Sequence, residues 1–232
     1  MTTTLITGAN KGLGFETARR LVAAGHTVLV ASRDAERGRA AAEVLGAQAI
    51  QLDVTDDGSV AAAVDAVAAL DVLVNNAGIA PVDDHGSEPG AADLTADLMQ
   101  HTFATNVFGL VRVTHAFLPL LQRSPAPVIV NVSSGLASLA HLSTPGTPRH
   151  EYPGVAYPAS KTVVNVLTVQ YAKAFPAMRI NAVEPGFTAT DLNRGTGRQT
   201  VEQGAEIIVR MAQVGPDGPT GGYFGLSGPL PW

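Results

Sequence analysis

Three glycines, Gly8, Gly12 and Gly14, stand between the β-branched run Leu5-Ile6-Thr7 and the helical run Gly14 to Ala24. No other feature narrows the fold as much. Glycine tolerates positive φ and lets backbone N–H groups come close to a ligand. A helix N-terminus directly behind it favours an anion such as a pyrophosphate. The spacing alone also fits an ordinary strand-to-helix turn. Its place on the first such turn is where a dinucleotide fingerprint belongs, and it makes Gly8, Asn10, Lys11, Gly12, Leu13 and Gly14 the candidate contacts.

The chain goes on alternating. Strands are expected at Thr27 to Ala31, Ala49 to Leu52, Val72 to Val74, Val128 to Val132 and Ile180 to Val183. Helices are expected at Ala35 to Leu45, Ser59 to Ala69, Leu94 to Leu121 with a break near Asn106, and Ser160 to Phe175. Strands aliphatic on both faces imply a sheet covered on both sides. The expectation is an α/β fold: a Rossmann-type, doubly wound, mostly parallel sheet of about seven strands in a three-layer αβα arrangement. Residues 1–232 read as one domain. Leu139 to Val155 holds Pro145, Pro148 and Pro153 and reads as a loop. Gly215 to Trp232 has room for one short strand around Tyr223-Phe224.

With 46% apolar and 15% charged residues, the chain is not a disordered one. A net charge of −5 favours neither nucleic acid nor an anionic membrane as partner. The N-terminus lacks the basic stretch of a signal peptide, and no apolar span is expected to reach the roughly 20 residues of a membrane helix. With no cysteine there is no disulfide and no thiolate chemistry, which fits a cytoplasmic location. The six histidines (His26, His85, His101, His115, His141, His150) show no metal spacing, and no metal is expected. Asp56-Asp57 and Asp83-Asp84 read as solvated turns, Asp93 and Asp97 as an exposed helix face.

A dinucleotide fold that binds a ribose 2′-hydroxyl carries an acid at the end of its second strand. Here that position is Ser32, followed by Arg33 and, four residues on, Arg37. With Lys11, these supply the charge that a 2′-phosphate needs and a carboxylate would repel. NADP(H) is therefore favoured, with NAD(H) as the alternative. In the bland reading both arginines are solvated surface residues.

Tyr157 and Lys161 stand four apart, on one helix face. A tyrosine with an ordinary pKa near 10 must shift by two to three units, roughly 3–4 kcal/mol, to act near pH 7. One ammonium at 4 Å supplies about that much. Ser133 and Ser134 close the fifth strand at the edge where such sheets bind ligands, and either fits a carbonyl-holding hydroxyl or a simple helix cap. Asn106 interrupts a helical pattern, as a tolerated polar residue or a water-holding kink.

Taken in order, Thr7 to Gly14, Asp53-Val54, Asn75-Asn76-Ala77-Gly78, Asn106, Ser134, Tyr157-Pro158-Ala159-Ser160-Lys161 and Pro185-Gly186 resemble the short-chain dehydrogenase/reductase family. The likeness spans about Thr3 to Trp232, and Arg33-Asp34 with the C-terminal ending looks most like its carbonyl-reductase-like, NADPH-using subgroup. The resemblance implies Tyr157 as proton donor and Lys161 as the group that lowers its pKa and binds the nicotinamide ribose. It implies Ser134 as the hydrogen-bond partner of the carbonyl and Asn106 as holder of a relay water. Asp53 and Val54 would lie at the adenine, Asn76, Ala77 and Gly78 along the cofactor channel, and Pro185, Gly186, Thr188 and Thr190 at the carboxamide.

The Leu139 to Val155 stretch exceeds the family's usual short gap and is expected beside the site mouth. That makes His141, Leu142 and Tyr152 candidate substrate contacts, with a surface loop that shapes only oligomer packing as the alternative. Phe187 to Gln203 is expected to form a small, open lid with Phe187 toward substrate. The implied activity is NADPH-dependent reduction of a ketone, aldehyde or quinone, on a small-molecule partner. A non-catalytic NADP(H) redox sensor, a 3-oxoacyl-thioester reductase and an alcohol dehydrogenase are the alternatives. Monomer and homo-oligomer both remain open.

Overall fold

In the computed structural model, which describes residues 1–82 and 88–232, the alternation closes into one sheet. The strands are β1 (Thr3–Thr7), β2 (Thr27–Ser32), β3 (Gln48–Gln51), β4 (Val72–Asn75), β5 (Val128–Val132), β6 (Arg179–Val183), β7 (Tyr223–Gly225) and β8 (Gly228–Pro229). The helices are α1 (Gly12–Ala23), α2 (Ala35–Leu45), α3 (Asp57–Asp65), α4 (Ala96–Phe103), α5 (Leu110–Leu121), α6 (Leu139–Leu142), α7 (Ala156–Ala174) and α8 (Val201–Ala212). Asp83, Asp84 and His85 lie outside the described residues.

The strand period of two produces the three layers. Ile6, Val28, Val30, Val74 and Val130 point into one core with Leu21 of α1, Leu45 of α2 and Ile207 and Ile208 of α8. Their neighbours Leu5, Leu29, Leu73 and Ile129 point into the other, against Val60 of α3, Phe117 and Leu121 of α5 and Ala172 of α7. A chain in which both alternate sets are apolar can satisfy them only by covering both faces.

The sheet order is β3-β2-β1-β4-β5-β6-β7-β8, parallel throughout except for β7–β8. The chain runs outward from β1 to β3, then crosses back to β4, so the order reverses between β1 and β4. Ligands of doubly wound sheets bind in the crevice at that point. Ile6 pairs with Val74, which brings the glycine loop beside Asn75 and Asn76. Val132 pairs with Val183, which brings Ser133-Ser134 beside Glu184.

Several boundaries differ from expectation. Among the described residues the sheet has eight strands where about seven were expected, because Gly228–Pro229 folds back antiparallel on β7 after the turn at Leu226-Ser227. Helix α3 stops at Asp65 rather than Ala69. The Leu139 to Val155 loop begins with one helical turn, α6, capped by the Ser138 hydroxyl on the His141 N–H. Helix α7 starts at Ala156, so Tyr157 and Pro158 lie inside it; proline fits a first turn, where its missing N–H is not needed.

The helical run Ala96–Leu121 is, by length and composition alone, long and apolar enough to cross a membrane, contrary to the expectation that no span is. Its apolarity has a place in the fold, since Val113, Phe117 and Leu121 belong to the second core.

Candidate active site

The break expected near Asn106 is a wide π-helical segment, Ala104–Gly109, between α4 and α5. Such turns recur at functional sites because the extra residue re-aims a side chain. Asn106 is buried; its Oδ1 accepts the Ile79 N–H at 2.8 Å, and its Nδ2 donates to the Ile79 carbonyl at 2.8 Å and Ser160 Oγ at 2.9 Å. These bonds fix the chain leaving β4 to the helix that carries Tyr157. The amide's donors are spent on the protein, so its visible role is positional.

Lys161, one turn beyond Tyr157, is buried and donates from Nζ to the Val132 carbonyl at 2.8 Å. It converges with Asn106 on Gly78: a Cβ there would sit 3.3 Å from Asn106 Oδ1 and 3.4 Å from Lys161 Nζ. Burial pulls the Lys161 ammonium down to about 8.

Tyr157 is pushed up to about 12, first by burial, against a hydrogen bond with the Ser134 side chain that acts the other way; the charges of Glu88 and Glu184 add to the rise. The spacing and the family resemblance predict that Lys161 lowers this pKa. The ammonium lies 5.7 Å from the ring centre and is engaged with Val132, so burial wins.

The two serines have different partners. Ser133 is buried and donates to Asn165 Oδ1 at 2.7 Å, tying β5 to α7. Ser134 caps the 3-10 turn Gly135–Ala137 by accepting the Leu136 N–H, and its side chain faces Tyr157.

At the glycine loop, Gly8 and Gly12 have φ of +64° and +56°. A Cβ on Gly14 would lie 2.6 Å from Asn76 Nδ2 and 2.7 Å from the Gly8 carbonyl. Asn76 therefore braces the loop, donating to the carbonyls of Thr7 and Gly8, while the Ala77 N–H donates to Thr7 Oγ1. Helix α1 has no side-chain cap and no acid in its first turn, which leaves its N-terminal N–H groups for an anion.

The buried Ser32 hydroxyl at the end of β2 has no partner among the described residues. Arg33 and Arg37 beside it are exposed, and Arg37 lies 3.4 Å from Asp34. A nucleotide with its pyrophosphate on α1 and its ribose at Ser32 fits these residues. Lys11 is paired with Asp191 at 2.6 Å, as Arg37 is with Asp34. Asp53 accepts the N–H and hydroxyl of Thr55, which holds its carboxyl below the usual range. Val54 packs against Gly109.

Beyond Pro185, Gly186 has φ +79°, and its missing Cβ makes room for the Gln199 side chain. Buried Thr188 donates to the carbonyls of Pro185 and Gly186. Thr190 lies against Gly12, so this segment borders the glycine loop. Phe187 is exposed. Of the other substrate candidates, Tyr152 reaches the site region through Glu88, His141 has a buried Nδ1 with no partner among the described residues, and the Leu142 carbonyl meets His150. Among the described residues no cluster suits a metal.

Sequence reasoning missed Glu88, Arg149, Glu184 and Tyr223. Arg149 of the proline-rich loop pairs with Glu184 at 3.2 Å over Gly135, and the Tyr223 hydroxyl donates to the Ser134 carbonyl. Only Glu184 left a trace, as a charge ending an apolar strand.

Residues 2–201 match the family described as short chain dehydrogenase. The chain belongs to that family. Curated relatives include a (+)-neomenthol dehydrogenase from Capsicum annuum, 30% identical with 95% of this chain and 94% of the relative covered. A salutaridine reductase from Papaver bracteatum is 32% identical, with 96% and 94% covered. Both alignments, of 295 and 294 positions, are longer than this short-chain dehydrogenase, so the relatives carry insertions that it lacks. The structure of salutaridine reductase from Papaver somniferum superposes with a TM-score of 0.83 at 29% identity, covering 97% of this chain and 99% of the other. The chain is thus an oxidoreductase of the class acting on alcohol and carbonyl groups.

Proposed function

We propose that this short-chain dehydrogenase reduces a small ketone, aldehyde or quinone to the alcohol with NADPH, in the cytoplasm. The observation that carries the reading is the convergence of Tyr157, Ser134, Lys161 and Asn106 beside the crevice between β1 and β4. When bound, the nicotinamide supplies the hydride. The Tyr157 hydroxyl, held neutral by burial, donates the proton to the substrate oxygen. Ser134 Oγ orients that oxygen, and Lys161, positively charged below about pH 8, favours the tyrosinate left behind.

NADPH over NADH is supported by Arg33 and Arg37 beside an unpartnered Ser32 hydroxyl, with no carboxylate at that position. A redox sensor would not need the proton-donating pair that this chain keeps.

The test is NADPH absorbance loss over a panel of ketones, aldehydes and quinones, with Tyr157→Phe alongside. Turnover by the native protein that vanishes in the variant is the expected result. Turnover surviving in Tyr157→Phe would sink the mechanism, and no turnover on any substrate would favour the sensor.

A further inference from the structure

A second carboxylate stands at the proton donor, and it comes from outside the motifs. Helix α7 begins with Val155 as its N-cap, and neither a capping side chain nor an acid in the first turn belongs to the helix itself. Its first N–H groups need acceptors. Glu88, in the segment between β4 and α4, provides one. Its carboxyl is buried and accepts the Tyr157 N–H on Oε1 at 2.6 Å, and the neighbouring Ala156 N–H favours its charged form. Oε2 accepts the Tyr152 hydroxyl at 2.9 Å.

The chain makes room for this contact. Gly90 and Gly154 form an antiparallel bridge, and a Cβ on Gly154 would lie 2.5 Å from the Glu88 carboxyl carbon.

We propose that Glu88 is a positioning residue for the reaction: its buried carboxylate fixes the first turn of α7, hence Tyr157, and fastens the preceding loop to it through Tyr152. The idea rests on Tyr157 being the proton donor. A backbone bond to the donor residue itself limits where its ring can go, and misplacement by about 1 Å can cost on the order of a hundredfold in rate.

The same carboxylate acts on Tyr157 by charge, favouring the neutral phenol that must give up a proton. Among the described residues, the other titratable groups facing Tyr157 are Lys161 on its own helix, Glu184 at the end of β6 with its partner Arg149, Tyr152 from the loop and Tyr223 of β7.

Two variants separate position from charge. Glu88→Gln keeps an acceptor for the amide and removes the charge; Glu88→Ala removes both. The protein has only four tyrosines, so ring-labelled tyrosine gives few resonances, and that of Tyr157 is assigned with Tyr157→Phe. In Glu88→Ala the Tyr157 amide should exchange with solvent about tenfold faster or more, and Glu88→Gln should restore protection. In Glu88→Gln the Tyr157 titration midpoint should fall by about half a unit to one unit. On any substrate turned over, Glu88→Ala should lower kcat more than it changes KM, with Glu88→Gln recovering most of the loss.

Unchanged exchange in Glu88→Ala, or an unmoved midpoint in Glu88→Gln, overturns the proposal, as does a variant that loses only thermal stability. Exchange and titration need no turnover, so they judge Glu88 even if the reductase reading fails.

Discussion

Lys161 Nζ lies 5.7 Å from the centre of the Tyr157 ring, yet it gives its hydrogen bond to the Val132 carbonyl at the end of β5. The ammonium is therefore anchored to the sheet and stands beside the proton donor without being its direct partner. Its burial is costly, which fits a charge kept for chemistry rather than for stability.

That cost has a measurable pH dependence. The Lys161 pKa is about 8 in the fold against an ordinary 10.5, so between those values the unfolded chain binds the extra proton. Unfolding then becomes harder as pH rises through the window, by up to about 3 kcal/mol. Lys161→Met lacks this term. Denaturant melts at pH 7 and pH 10 should show the native protein gaining stability relative to the variant at the higher pH; parallel curves would contradict the buried ammonium.

Tyr157, raised to about 12 by burial, remains an acid throughout the neutral range. Carbonyl reduction should keep its proton donor well past pH 8, while alcohol oxidation, which needs the tyrosinate, should climb with pH. Tyr157→Phe should lower the reduction rate by about a thousandfold, within the usual range for a lost general acid. Rate profiles in both directions test this, and an oxidation rate that falls between pH 7 and 9 would contradict it.

The arginine corner makes a claim about selectivity. Replacing Arg33 and Arg37 together with alanine removes two exposed guanidinium groups at the end of β2 and the start of α2. NADPH binding should weaken by about ten- to a hundredfold and NADH binding change little. Asp34 caps α2 through the Glu36 and Arg37 N–H groups and is left in place, so the helix should survive. Titration calorimetry with each cofactor decides it; equal losses would show that the arginines merely solvate the surface.

Those residues were readable in the sequence because their signals are local. The glycine loop, the Tyr-x-x-x-Lys spacing and the arginines after the second strand each depend on neighbours within a few positions. The three layers were readable too, since alternate residues such as Leu5 and Ile6 are both apolar and so need two cores. Glu88 was not, because the amide it accepts belongs to a residue 69 positions away and no periodicity links them. The burial that raises the Tyr157 pKa is not legible for a related reason, since it depends on residues far along the chain rather than on Lys161 one turn away. Helix ends slipped by a few residues where side-chain caps such as Asp56 on the Ser59 N–H set the start.

Two glycines in helical positions should respond in opposite ways to alanine. At Gly14 the new methyl would lie 2.7 Å from the Gly8 carbonyl and 2.9 Å from Ala9 Cα, backbone atoms that cannot turn aside as a side chain can. Its φ is not positive, so the objection is steric and local to the loop. Gly14→Ala should destabilise the protein by about 2–4 kcal/mol and displace the loop where the pyrophosphate would rest. At Gly58, in the first turn of α3, the nearest atom is Asp56 Oδ1 at 3.4 Å, an ordinary contact. Gly58→Ala should stabilise by about 0.4–1 kcal/mol through the lost freedom of the unfolded chain. Urea melts of the two variants beside the native protein measure both. A stable Gly14→Ala that still binds NADPH would mean that the loop does not need the close approach on which the cofactor site is built.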